Sequence, residues 1–172
     1  MLLPEIIEYN KTDKEHIYRG WETKKKKKNT NTSRIEKEFY CYLIGKYGKD
    51  DIETNYNKDK RYPYFCDFYI KSLDLFIEIQ GHQGHGPHPF DEKNEIDLLL
   101  LNKWISKISP EHPQYELYIK NWTVRDTAKR NTAIKNNINF LEIFTIKSID
   151  AINYFEDYLK ANNKYMYFSK DK

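Results

Sequence analysis

The stretch Leu75-Phe76-Ile77-Glu78-Ile79-Gln80-Gly81-His82-Gln83-Gly84-His85-Gly86-Pro87-His88 constrains this chain more than any other. It opens as a strand, because Leu75, Phe76, Ile77 and Ile79 form a short apolar run of β-formers, the pattern of a buried strand. Glu78 and Gln80 interrupt that run two residues apart, so they project from the same face of the sheet. A carboxylate in a buried strand must be paired, bound to a metal or neutralised. Three glycines and three histidines follow within eight residues. Glycine lets a backbone turn sharply or approach a ligand closely, and histidine is the commonest acid/base near neutral pH. The plainer alternative is a strand with a polar edge and a solvated turn.

The rest of the chain supplies partners for this strand. With 172 residues, one domain with a sizeable core is the default. Aromatic residues at 16% and charged residues at 32% fit a globular rather than a disordered composition. The net charge of +3 says little about partners, but its distribution says more. Arg19, Lys24, Lys25, Lys26, Lys27, Lys28 and Arg34 face a single acid, Glu22, between Ile17 and Arg34. Such a run is either solvated or touches a polyanion such as a phosphate backbone. Cys41 and Cys66, the two cysteines, lack metal-pair spacing and point to a reduced intracellular protein. Neither a signal-peptide core nor an apolar run approaching about 18 residues is present, so secretion and membrane spanning are not expected.

In chain order, residues 1–32 read as a basic N-terminal arm, 33–162 as the folded domain and 163–172 as a tail. Ser33-Arg34-Ile35-Glu36 has the form of a capping box. It predicts a helix to about Tyr47, closed by Gly48, with Ile35, Phe39, Tyr42 and Leu43 on its buried side. Glu36 serves either as the cap partner or as a group reaching into a site from the first turn. A short strand is expected around Ile52–Tyr56. Tyr62–Ile70 reads as a strand with Pro63 at its start and Asp67 set among aromatics. Ser72-Leu73-Asp74 is a tight turn returning the chain into the Leu75 strand. That hairpin would bring Asp67 near the Glu78/Gln80 end, within reach of one metal ion.

Asp91–Ile108 reads as a helix with Ile96, Leu99, Leu100, Ile105 and Ile108 as its apolar set, and Tyr115–Ile119 as strand or helix. Thr123-Val124-Arg125-Asp126 has the form of a second capping box, opening a helix to about Lys135. Ile138–Ile146 is β-like, and Ser148 is placed to cap a last helix through Ala161 with Ile152, Phe155 and Leu159 inward. The fold class expected is α/β, a small mixed central sheet flanked by helices.

A carboxylate pair at the end of a hairpin suits Mg²⁺, with water and phosphate completing the octahedron. A metal there activates water and neutralises phosphate charge, and a nearby His moves the proton. Glu36, then Asp67 in a strand, then Glu78-Ile79-Gln80 resembles the PD-(D/E)XK nuclease superfamily, with Gln80 where the usual lysine stands. The closer resemblance is to the branch of very-short-patch repair endonucleases and phage homing endonucleases with an EDxHD signature. It covers roughly residues 32–146, and WTVRDTAKRNTAIKNNINFLEIF (Trp122–Phe144) is similar to that branch's helix and last core strand.

The resemblance implies a restriction-endonuclease-like fold and Mg²⁺-dependent cleavage of DNA phosphodiesters, with Mn²⁺ able to substitute. It implies Glu36, Asp67, Gln80, His85 and Asp126 as the signature positions. Asp67 and the carbonyl of Ile79 would hold the metal, with Glu78 an added ligand. Glu36 would act on a water at the metal. His85 would be the acid/base, held by Asp126. The cysteines of the repair enzymes' structural zinc site are absent, so zinc is not expected. Asp126 also has the plainer reading of a helix cap. His82 and His88 are solvated, phosphate-contacting or metal-ligating; Lys129 and Arg130 contact phosphate or nothing. DNA is the expected partner, a homodimer is compatible, and the cytoplasm of a bacterial or phage-infected cell the expected place. Two rival readings are an inactive nucleic-acid-binding protein of the same fold and a structural protein whose acids and histidines satisfy one another.

Overall fold

The computed structural model describes residues 33–162. The expected arm, including Lys24 to Lys28, and the expected tail lie outside the described residues. Helix α1 (Arg34–Tyr47) begins as its sequence dictates: Ser33 Oγ accepts from the Glu36 backbone N–H at 3.2 Å and donates to Glu36 Oε1 at 3.0 Å. It ends at Gly48, whose φ of 84° suits glycine alone among common residues. Phe39 and Leu43 form its buried stripe.

After a 3₁₀ turn, Lys49–Asp51, three strands follow: β1 (Ile52–Tyr56), β2 (Cys66–Ile70) and β3 (Leu75–Gln80). The expected second strand is shorter than its aromatic run, since Tyr62 to Phe65 turn instead of pairing. Lys71–Leu73 and left-handed Asp74 make the hairpin turn between β2 and β3. The sheet order is β1-β2-β3-β4, with β4 (Asn139–Phe144) parallel to β3 and the other pairs antiparallel. A parallel neighbour requires a long crossover. Here it holds α2 (His82–His85), α3 (Glu95–Ile105), α4 (Gln114–Lys120), a π-helical turn Asn121–Arg125 and α5 (Asp126–Lys135). Helix α6 (Ser148–Ala161) closes the fold.

All six residues of β3 are buried, and their alternation splits the interior in two. Leu75, Ile77 and Ile79 join Phe68, Ile70, Leu141 and Ile143 under α1 and α6, where Phe39 and Phe155 meet edge to face at 5.7 Å. Each such fully buried side chain is worth about 1.5–3 kcal/mol. Phe76 faces the other way, with Tyr62, Cys66 and Ala133 of α5. A third cluster, Leu101, Trp104, Ile119 and Trp122, joins α3, α4 and the π turn.

Three local expectations are corrected. Thr123 does not cap a helix: the chain runs on from α4 through the π turn, and Thr123 Oγ donates back to the Ile119 carbonyl at 2.8 Å. Helix α3 is shorter than expected and buries Asp97, Leu101 and Trp104, while Ile96 and Leu99 are 73% and 68% exposed. Ser148 is the first residue of α6 rather than a side-chain cap. Among the described residues no helix is long and apolar enough to cross a membrane.

Candidate functional site

The C-terminal end of β3 gathers the chain's awkward polar residues. Asp67 sits where β2 changes faces: Cys66 belongs to one interior cluster and Phe68 to the other. There its Oδ2 accepts from the Ile79 backbone N–H at 2.9 Å. The contact to Ile79 is thus through the amide, and Asp67 Oδ1 has no protein partner among the described residues. Asp67 and Glu36 line one cleft of about 220 Å³ with Lys37, Tyr40, Thr54, Asn55 and Phe68. Glu36 is the cap partner of Ser33 and also lines this cleft. The cleft-lining Lys37, Tyr40, Thr54 and Asn55 carry no sequence signal; Asn55, with φ of 49°, marks a break in β1 that pattern alone does not reveal.

Glu78 is corrected as a metal ligand. It points to the opposite face, where Lys129 Nζ donates to its Oε1 at 2.6 Å and the Tyr62 hydroxyl donates at 3.3 Å. Burial pushes the Glu78 carboxyl up to about 7, against the pull of the Lys129 ammonium; Asp67 raises it further and Arg125 lowers it. Lys129 is corrected with it. At 2% exposure, and donating also to the Phe65 carbonyl at 2.7 Å, it cannot reach a phosphate. Arg130 is committed likewise, its guanidinium forked on Glu142 at 2.5 and 2.9 Å. Glu142 is the register neighbour of Glu78 across β3 and β4, so consecutive cations of α5 neutralise neighbouring acids of the sheet. A fork of this kind is the strong form of a charge-assisted hydrogen bond. Gln80 is buried too, its amide donating to Glu142 Oε1 at 3.3 Å.

Those two anchors fix the start of α5. Asp126, one turn before Lys129 and Arg130, is 2% exposed, and its Oδ2 lies 2.7 Å from His85 Nδ1. A carboxylate oxygen only accepts, so Nδ1 carries the hydrogen and Nε2 is the ring nitrogen turned away from Asp126. The cap reading of Asp126 falls with the π turn, since no helix begins freshly there. His88 is placed differently: its Nε2 is 3.0 Å from Oδ1 of buried Asp97, whose Oδ2 accepts from the Asp91 N–H at 2.9 Å. The side chain of His82 is outside the described part of α2. Arg34 pairs with Glu38 on the exposed side of α1.

Among the described residues no three His, Cys, Asp or Glu side chains gather into a group that could hold a metal. The cleft instead has two carboxylates, one with an uncommitted oxygen. That donor set fits Mg²⁺, which keeps several waters and takes one or two carboxylates plus substrate oxygens. The acidic cleft is walled by α1, β1 and β2, and the oriented imidazole of His85 lies past the end of β3 and does not line the cleft. Carboxylates and an imidazole are the kinds of group that water activation and proton transfer use. Comparison of the chain with protein-family models, curated proteins and solved structures finds no match.

Proposed function

We propose that this chain is a Mg²⁺-dependent DNA endonuclease with a restriction-endonuclease-like fold, of the PD-(D/E)XK type and its EDxHD branch. The observation that carries the reading is the His85–Asp126 pair: an imidazole held at 2.7 Å by a buried carboxylate, six residues beyond the Ile79 amide that binds Asp67. Glu78 and Glu142 meet Lys129 and Arg130, and buried Asp97 meets His88; Asp126 meets a partly exposed histidine just beyond the end of the central strand.

Glu36 and Asp67 would hold Mg²⁺ in the cleft, supplying charge neutralisation at phosphate and a more acidic water. His85 takes or gives the proton through Nε2, and Asp126 keeps its ring turned that way. The exposed Lys37 at the cleft offers a cation to the phosphodiester, a role that Lys129 and Arg130 do not have. The undescribed arm, Lys24 to Lys28, would add non-specific phosphate contacts.

The rival is an inactive DNA-binding protein of the same fold. Gln80 favours it, standing at the usual lysine position and bound to Glu142. A plasmid-nicking assay with Mg²⁺ and with EDTA decides. Cleavage that requires the metal supports the nuclease; retained DNA binding without cleavage supports the rival.

A further inference from the structure

Two glycines flank His85, and both have backbone conformations that side chains resist: Gly84 at φ +89° and Gly86 at φ +69°. Each also meets an aromatic ring. A Cβ on Gly84 would fall 2.7 Å from Tyr118, and one on Gly86 only 2.2 Å from the indole of Trp122. Tyr118 and Trp122 are one turn apart along α4 and the π turn, so a single helical face presents both rings. Trp122 does more than fill space. Its Nε1–H donates to the His88 carbonyl at 2.6 Å, and its ring packs against Phe90 at 5.0 Å and Trp104 at 5.3 Å. The same residue lies in the π turn that ends at Arg125, directly before Asp126. Extra-residue turns of this kind are frequent at functional sites.

We infer that Trp122, with Tyr118 beside it, is the positioning residue for His85: the two rings form a seat that takes the Gly84 and Gly86 backbone and sets the imidazole on Asp126. The seat ties both members of the pair to one segment, the loop through the two glycines and the His88 carbonyl, and Asp126 through the π turn. As a catalytic statement this rests on the proposed nuclease reading; as a statement of geometry it does not.

The test uses the full chain and reads the His85 Nδ1–H directly. A ring proton shared with a carboxylate resonates far downfield in the proton NMR spectrum and exchanges slowly with water. Its assignment comes from its loss in His85→Ala. Trp122→Phe keeps an aromatic ring but removes the donor to His88. The downfield signal should disappear or broaden in this variant, with DNA affinity unchanged. Trp104→Phe, in the same core cluster, should keep the signal even if it lowers the unfolding temperature. In cleavage, Trp122→Phe should reduce kcat about 10- to 100-fold at constant KM, the cost of a misplaced group.

An unchanged signal in Trp122→Phe overturns the inference, as does its equal loss in Trp104→Phe, which would mean general loosening. A wild-type spectrum without the signal overturns it too. If Trp122→Phe fails to fold, Gly86→Ala approaches the seat from the loop side: loss of the signal supports the inference and its survival refutes it. Absence of cleavage by the wild-type chain would count against the nuclease reading alone, because the spectrum still decides the seat.

Discussion

Lys129 Nζ and Glu78 Oε1 lie 2.6 Å apart in the interior, both side chains almost wholly removed from water. Isolated charges in such a place would be prohibitive. The Phe65 carbonyl and the Tyr62 hydroxyl complete the arrangement, and α5 is thereby fastened to the central strand. Breaking a buried pair by removing one partner costs about 3–5 kcal/mol, whereas replacing both is often neutral. Lys129→Met should therefore destabilise the protein by that amount in urea unfolding. Glu78→Gln combined with Lys129→Met should recover most of the loss. If Lys129→Met instead weakened DNA binding with stability intact, the lysine would have to be a surface phosphate contact.

The same pair gives stability a pH dependence of unusual sign. In the unfolded chain a glutamate titrates near about 4.3; in the folded protein burial pushes Glu78 up to about 7. Between these values the folded state keeps a proton that the unfolded state has lost. The contribution of Glu78 is therefore complete below about 4.3 and declines as pH rises toward 7. Carboxylates held low by partners, such as Asp59 beside Arg61, act in the opposite sense at more acid pH, but equally in wild type and variant. The difference in unfolding free energy between wild type and the Glu78→Gln/Lys129→Met protein should shift against wild type from pH 5 to pH 7. A difference flat across that range would show that Glu78 stays ionised throughout.

At the cleft, Asp67→Asn separates charge from geometry. The amide oxygen of Asn can still accept from the Ile79 N–H, so this link between β2 and β3 should persist and circular dichroism should be unchanged. Only the anion is lost. If Asp67 holds Mg²⁺, plasmid cleavage should fall at least about a thousandfold, the equivalent of the several kcal/mol that a metal contributes. Wild-type rates in this variant would remove Asp67 from the site.

How far the sequence reveals all this depends on whether the signal is local. Ser33 and Glu36 cap α1 through neighbouring backbone groups, so their pattern suffices. The alternation of β3 is equally local, and places Glu78 and Gln80 opposite Ile77 and Ile79. Lys129 and Arg130 defeat the same approach. A helix dotted with cations ordinarily shows them to water, and the acids that hold them are 51 and 12 residues away. Thr123 to Asp126 misleads for a related reason. Its letters match a capping box, but Trp122 packs in the cluster of Leu101, Trp104 and Ile119, and that tertiary packing carries the helix through the turn instead of restarting it. Asp97 is hidden in an apolar run because its partners, His88 and the Asp91 N–H, belong to a loop without regular pattern.

The closest test of the proposed chemistry lies in His85 and Asp126. If one orients the other, their losses should not add. Removing the proton carrier by His85→Ala should cost about 10²- to 10⁴-fold in cleavage rate. Asp126→Asn should cost much of the same. An asparagine is uncharged and can turn either its oxygen or its NH₂ toward Nδ1, so the ring's orientation and tautomer are no longer fixed and Nε2 is presented less often in the required form. The double variant should then be little slower than His85→Ala. DNA affinity should hardly change in any of the three. Folding should survive as well, since Lys129 and Arg130 fasten α5 independently of Asp126. Fully multiplicative rate losses would mean that the two residues act separately despite their 2.7 Å contact. Unfolding of Asp126→Asn would instead make the carboxylate a structural group whose histidine partner merely satisfies it.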